Sequence, residues 1–236
     1  MCGRYVSSSP IARIAAHFDA GADIDPLREN FNVAPTTDVY GITADADGTR
    51  HVRSFRWGLV PHWSKDRSIA SRMINARAET IADKPSFRTP FARQRCIVPM
   101  DGFYEWAPGV AGGPVTKAGK LAKRPHFVHR TDGEPLAVAA IWSAWHDPDA
   151  DADEPWLHTV AVITTTANAT MAPVHDRMPA VLPRATWRTW LDPANHNTEL
   201  LAGLLGPARD DLLTLHEVST AVNDVRRHGV ELIAAV

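Results

Sequence analysis

The chain has 236 residues, 44% hydrophobic and 22% charged, with a net charge of −2 and two cysteines. A chain of this length and composition buries a core without disulfides or a structural metal, so wholesale disorder is excluded. The longest apolar run, Leu136–Trp142, is far short of a membrane span, and Arg4 and serines stand where a signal peptide would be apolar. Cys2 and Cys96 form no cysteine framework, which leads to the expectation of a reduced, cytoplasmic protein.

In chain order, Cys2–Val6 and Val39–Thr43 read as strands, with Pro10–Phe18 as a short helix between them. His51–Trp57 alternates polar and apolar residues with the period of a strand. Asn75–Ala82 reads as a helix, as does Ser86–Arg93 behind Pro85. Cys96–Met100 and Phe103–Trp106 are strands about the turn signal Asp101-Gly102. Pro125–His129, Leu136–Trp142 and His158–Thr165 continue the strand series. Arg184–Leu191, with Trp187, Trp190 and Leu191 on one stripe, is an amphipathic helix, and Thr198–Leu205 is another. Two segments interrupt the pattern, a Gly-, Ala- and Lys-rich one at 107–124 and an acidic one at 146–155. The acidic one fails as a calcium loop: counting from Asp149, Glu154 sits where the turn needs glycine and Val160 where it needs glutamate. It reads as a solvated hairpin tip. The whole is a single α+β or mostly-β domain spanning 1–236.

Chemistry can begin at the N-terminus. Methionine is trimmed before a small residue, which would leave Cys2 with an α-amine of pKa about 7.7–8.0 and a thiol of pKa about 8.5. An amine alone makes a reversible imine with an aldehyde, whereas an amine and β-thiol together close a more persistent thiazolidine. A buried cysteine opening a strand is the plainer alternative. Asn75 and Glu79 would share a helix face, or Asn75 would simply cap that helix. Glu105, a lone carboxylate among aromatics, would gain a raised pKa if buried and would be ordinary if solvated. His175 and Arg177 lie between Pro173 and Pro179, giving an acid/base candidate or a structural histidine. His126 and His129, three apart on a strand, face opposite ways and share no metal. No phosphate-loop glycine pattern and no nucleophile elbow is found, and neither a metal nor a cofactor is expected.

Charge is unevenly spread. Between Arg50 and Arg95 nine arginines and two lysines face only Asp66, Glu79 and Asp83. Arginine suits bidentate phosphate contacts, and interleaved aromatics suit stacked bases. Trp63, flanked by His62 and Ser64-Lys65-Asp66, is the best candidate for an exposed ring, while Trp57 reads as packing. Pairing of these arginines with acids elsewhere is an equal alternative.

Seven segments then appear in order: Met1-Cys2-Gly3-Arg4-Tyr5, Asn32-Val33-Ala34-Pro35, Arg56-Trp57-Gly58-Leu59-Val60-Pro61, Asn75-Ala76-Arg77-Ala78-Glu79-Thr80, Arg95-Cys96-Ile97-Val98-Pro99, Gly102-Phe103-Tyr104-Glu105-Trp106 and His175-Asp176-Arg177-Met178-Pro179. Together they resemble the SOS response-associated peptidase (SRAP) family of abasic-site shields, from residue 1 to about 191 and more loosely to Asn223. The resemblance implies an α+β domain with a mainly antiparallel, barrel-like β core and peripheral helices. It implies single-stranded DNA as partner and covalent capture of the ring-opened abasic sugar by Cys2 as a thiazolidine once Met1 is gone. Carried over by motif, Asn75 orients the Cys2 amine or the sugar, Glu105 moves protons, and His175 is the second acid/base. Arg4, Arg77 and Arg177 would hold the DNA, with Trp106 lining the site and Trp63 beside the strand. The family's "peptidase" would then mean removal of Met1 or self-processing, with lyase-type imine chemistry accompanying it. A monomer, nucleoid-associated when bound, is the default.

Two other classes fit part of the pattern. Glutamine amidohydrolases with an N-terminal nucleophile also begin Met-Cys-Gly, and ammonia release from glutamine would identify one. A non-covalent reader of single strands or modified bases would bind intact and abasic strands equally.

Overall fold

The computed structural model describes residues 2–150 and 155–236. Its strands are β1 (Tyr5–Ser7), β2 (Ala20–Gly21), β3 (Asn30–Val33), β4 (Asp38–Ala44), β5 (Arg50–Trp57), β6 (Asn75–Arg77), β7 (Arg95–Met100), β8 (Gly102–Ala107), β9 (Arg124–Arg130), β10 (Leu136–His146), β11 (Trp156–Thr166), β12 (Arg177–Pro179) and β13 (Leu213–Glu217). The helices are α1 (Ile11–Phe18), α2 (Arg88–Arg93), α3 (Trp187–Leu191) and α4 (Thr198–Ala202).

Five strands close on themselves. The path β11-β10-β7-β4-β5 is antiparallel throughout, and a parallel pairing of β11 with β5, Thr159 opposite Arg56 and Val160 opposite Trp57, completes the ring. Side chains alternate across this wall. Val39, Phe55, Trp57, Cys96, Val98, Val138 and Val160 share one core, while Ile42, Val52, Ile97, Ala139 and Ile141 lie in another. That second core is roofed by Ile14 and Phe18 of α1, Phe91 of α2, Trp187 and Trp190 of α3 and Leu201 of α4. Gly41 is required in the wall, because a Cβ there would meet the Phe55 ring at 2.7 Å. Gly58, at φ +126°, turns the chain out of β5 where a Cβ would strike the Ala70 carbonyl oxygen at 2.6 Å.

A second sheet, β13-β9-β8-β1-β3, packs Tyr5, Val33, Phe103, Val128 and Leu213 onto the first core. The chain crosses between sheets at Asp101, whose carboxylate accepts from the Ser8 and Ser9 amides at 2.7 and 2.8 Å. That clamp fixes the exit of β1, and with it the N-terminal segment carrying Cys2. The expected α+β fold with a barrel-like β core and peripheral helices is therefore found.

One predicted element differs in kind. Asn75–Ala82 is not a helix: Asn75–Arg77 is β6, parallel to β11 with Asn75 opposite Val162, followed by a 3₁₀ turn at Ala78–Thr80. The hydrogen bond from the Val162 amide to the Ile74 carbonyl (3.0 Å) and burial of Ala76 outweigh the helix propensity of an alanine-rich run. Strands β2, β3, β12 and β13 are additions to the predicted series. The 107–124 segment is a small hairpin arm. Segment 146–155 joins β10 to β11; its Asp147 is buried rather than solvated, accepting from the Asp149 amide at 3.1 Å and lying 3.5 Å from Arg67, and Asp151, Asp153 and Glu154 lie outside the described residues.

Candidate functional site

Cys2 precedes β1 and has no exposed surface. Asn75, carried by β6, donates from Nδ2 to the Cys2 carbonyl oxygen at 2.7 Å. The strand pairing that replaces the expected helix is what aims this amide across the core. Among the described residues, Asn75 Oδ1 is buried and has no hydrogen-bond partner. Glu105, on β8, is buried, and its charge adds to the burial that pushes the Cys2 thiol well above the ordinary cysteine range. In this environment the thiol is a neutral S–H.

His175 stands in the loop between β11 and β12, next to Val174, which lies in the same core as Cys2. Its Nδ1 accepts from the Arg177 amide at 2.9 Å, which places the proton of the neutral ring on Nε2. The Asp176 carboxylate also lies 2.9 Å from Nδ1, where it would favour the other tautomer. The backbone contact governs the neutral ring, because Asp176 is almost fully solvated. Buried Asn168 holds this loop, accepting from the Met171 amide at 3.0 Å and donating to the Ala208 carbonyl at 3.1 Å.

The predicted DNA contacts separate into two groups. Trp63 is 53% exposed and Arg77 is exposed on β6, two residues from Asn75. Arg4, Trp106 and Arg177 instead have partners within the chain. Arg4 donates to Asn32 Oδ1 at 2.8 Å and the Val222 carbonyl at 2.9 Å, and Trp106 Nε1 donates to Asn223 Oδ1 at 2.8 Å. Arg177 grips both oxygens of Glu79 at 2.6 and 2.9 Å and the Thr164 carbonyl at 2.7 Å. Glu79 is thus tied to the His175 loop rather than to a helix face with Asn75. Its pKa is lowered chiefly by the hydrogen bonds from Arg177.

Three further residues about the site, Tyr5, His126 and Asn32, were not singled out as site residues by the sequence. Tyr5 lies edge-on to Trp57 at 5.2 Å with its hydroxyl buried and unbonded among the described residues. Burial, reinforced by Cys2, raises its pKa far above the usual phenol. His126 is the cross-strand partner of Glu105, and Asn32 donates to three carbonyls of the C-terminal segment. Asn32 was legible only as part of a motif. Among the described residues no three His, Cys, Asp or Glu side chains converge as a metal site, and no helix is long and apolar enough to cross a membrane. Cavities of about 520 Å³ beside Leu182 and Leu212, and about 560 Å³ beside Phe55 and Trp142, lie apart from Cys2, Asn75, Glu105 and His175.

Residues 1–225 match the pattern of the family described as SOS response associated peptidase (SRAP). The chain is 34% identical over 235 residues to the abasic site processing protein YoqW of Bacillus subtilis, covering 99% of each. It is 31% identical to the abasic site processing protein YedK of Escherichia coli, with all of both chains covered. Abasic site processing protein HMCES of Xenopus tropicalis is 29% identical, with 91% of this chain and 68% of that one covered. A crystal structure of a Bacteroides thetaiotaomicron protein superposes over the full length of both chains with TM-score 0.82 and 27% identity.

Proposed function

This chain belongs to the SOS response associated peptidase family, and we propose that it processes abasic sites in DNA by trapping them covalently on Cys2. The observation that carries the reading is the Asn75 amide on the Cys2 carbonyl with buried Glu105 beside the thiol. Hydrolysis of the Met1–Cys2 peptide bond frees the α-amine. The amine nitrogen attacks C1′ of the ring-opened sugar aldehyde, giving a carbinolamine. Glu105 takes the proton from nitrogen and returns it to the departing hydroxyl, so that one water leaves and an imine forms. The Cys2 sulfur then adds to the imine carbon while its proton passes to the nitrogen, closing the thiazolidine. Burial that keeps the thiol protonated suits this order, since the amine reacts first and the S–H proton is still available for ring closure.

Asn75 fixes the carbonyl of the residue that reacts, and its free Oδ1 is an acceptor for the new amine. The Nε2–H of His175 is suited to hydrogen-bond the sugar ring oxygen and polarise C1′ during opening. Arg77 and Trp63 meet the strand, by phosphate contact and by base stacking. Arg4, Trp106 and Arg177 frame the site by tying β1, β8 and the His175 loop to their neighbours. Single-stranded DNA is the substrate that stacking on an exposed tryptophan favours. Peptidase activity is confined to release of Met1, and the protein acts as a cytoplasmic monomer.

Intact mass spectrometry tests this directly. Protein lacking Met1, mixed with a single-stranded oligonucleotide carrying one abasic site, is expected to give a denaturation-stable species of protein plus DNA minus water. Cys2→Ser should leave only a reducible imine. A wild-type adduct yield from Cys2→Ala would overturn the assignment.

A further inference from the structure

The arm between β8 and β9 is the least explained basic feature of the chain. It leaves the sheet at the Ala107–Arg124 pair, one position beyond Trp106 and two beyond Glu105. Three of the chain's five lysines, Lys117, Lys120 and Lys123, lie on it, and 107–124 contains no acidic residue. All three are exposed, and among the described residues none has a carboxylate within ion-pairing distance. The neighbouring Arg124 is different, since it is spent on Glu217 at 2.8 Å.

The arm is an ordered device rather than a slack tether. The Thr116 amide donates to the Lys120 carbonyl at 2.7 Å, and the Gly119 amide donates to the Thr116 carbonyl at 2.9 Å. Gly119 adopts φ +73°, the left-handed residue that such a short hairpin turn requires. Val115 pairs with Leu121, and the Ala122 amide donates to the Pro114 carbonyl at 2.8 Å. Gly109 lets the outgoing strand lie on the returning one, because a Cβ there would come within 2.5 Å of the Ala122 carbonyl oxygen. These bonds hold Lys117 and Lys120 on either side of a fixed tip, so little order has to be imposed when a ligand meets them.

We propose that this arm is a phosphate clamp for the DNA strand flanking the abasic site, with Lys117, Lys120 and Lys123 each meeting a backbone phosphate. The inference rests on DNA being the partner of the Cys2 site and extends it to a surface outside that site. Position argues for it: the arm springs from the strand that carries Glu105, its base two residues beyond that side chain of the Cys2 site. Charge argues for it too, since exposed cations without internal partners are what a polyanion neutralises, with release of counterions.

The test is a salt series of binding titrations with an intact, labelled single-stranded oligonucleotide, comparing wild type with K117A/K120A/K123A. Each lost phosphate contact lowers the slope of log affinity against log salt by about 0.7, so the slope should fall by about 2. At moderate salt, affinity should fall roughly 10- to 100-fold. The triple arginine variant should restore the slope, Lys84→Ala should leave it unchanged, and thermal unfolding of the alanine variant should match wild type. Cross-link yield on an abasic oligonucleotide at saturating protein should also stay at the wild-type level. An unchanged slope, or no binding of intact strands by wild type, overturns the clamp and leaves exposed Val110, Val115 and Leu121 as an edge for a protein partner. Absence of any adduct from wild-type protein, with the slope change intact, would instead overturn the covalent reading of Cys2.

Discussion

Outside the barrel, beneath the helices, polar groups are satisfied to the point of redundancy. Buried Arg95 donates from all three nitrogens to the carbonyls of Phe91, Ala92, Trp190, Asp192 and Asn195, at 2.6 to 3.0 Å. Burial pulls its pKa down to about 10, with the nearby charge of Asp192 opposing. At the Cys2 end the pattern reverses. Among the described residues, Tyr5 Oη, Asn75 Oδ1 and the Nε atoms of Arg4 and Arg177 are buried without a hydrogen bond. The comparison teaches that one basic stretch serves two ends: Arg95 knots helices to the wall, while Arg77 on β6 remains exposed.

The sharpest break is at Glu105. Glu105→Gln keeps the shape and removes the proton carrier, so cross-linking of an abasic oligonucleotide should slow by about 10²- to 10⁴-fold with unfolding unchanged. Single-turnover kinetics on protein lacking Met1 measure it. A rate within twofold of wild type would place the proton transfers on His175 or on solvent.

Next in size is Arg95 itself. Arg95→Ala strands five carbonyls, which should cost about 3–5 kcal/mol in denaturant unfolding, as for other broken buried polar networks. Arg77→Ala should change stability by less than about 0.5 kcal/mol, the ordinary range for a surface position, while weakening single-strand binding. If the two exchanged behaviours, the division between knot and DNA contact would be wrong.

The same division decides what the sequence could reveal. Barrel strands such as His51–Trp57 and Leu136–Trp142 were legible because alternation and apolar runs are local. β13 carried a readable alternation in Leu213–Glu217 that the strand series passed over, and β3 is too short to signal itself. Asn75–Ala82 was misread because its structure is imposed from a distance, by β11. For the site, residue types and motif order were legible, but roles were not. Nothing local distinguishes Arg77 from Arg177, yet one is exposed and the other is held by Glu79. The acidic excess outside Arg50–Arg95 finds its use in the same way, with Asp38, Asp45 and Asp147 lying within ion-pairing distance of Arg56, Arg53 and Arg67.

The smallest expected effect sharpens that last contrast. Arg177 holds the Glu79 carboxylate ionised, so the folded-state pKa of Glu79 lies below its unfolded value of about 4.3. A depressed carboxylate contributes stability that is fully present above the unfolded pKa and is lost as pH falls through the folded one. Wild type should therefore melt above Glu79→Gln at neutral pH, with the gap closing only at pH below about 4. Because the Glu79 end of the pair is half in solvent, the difference should be a few degrees at most, and salt should shrink it. Its consequence for the site should exceed its consequence for the fold. Arg177 also supplies the backbone amide that sets the His175 tautomer, so Glu79→Gln should loosen that loop and slow cross-linking more than it lowers the melting temperature. Parallel melting and single-turnover measurements across pH 3.5 to 7.5 would separate the two, and a loss of rate that merely tracked unfolding would reduce the Glu79–Arg177 pair to a surface tie.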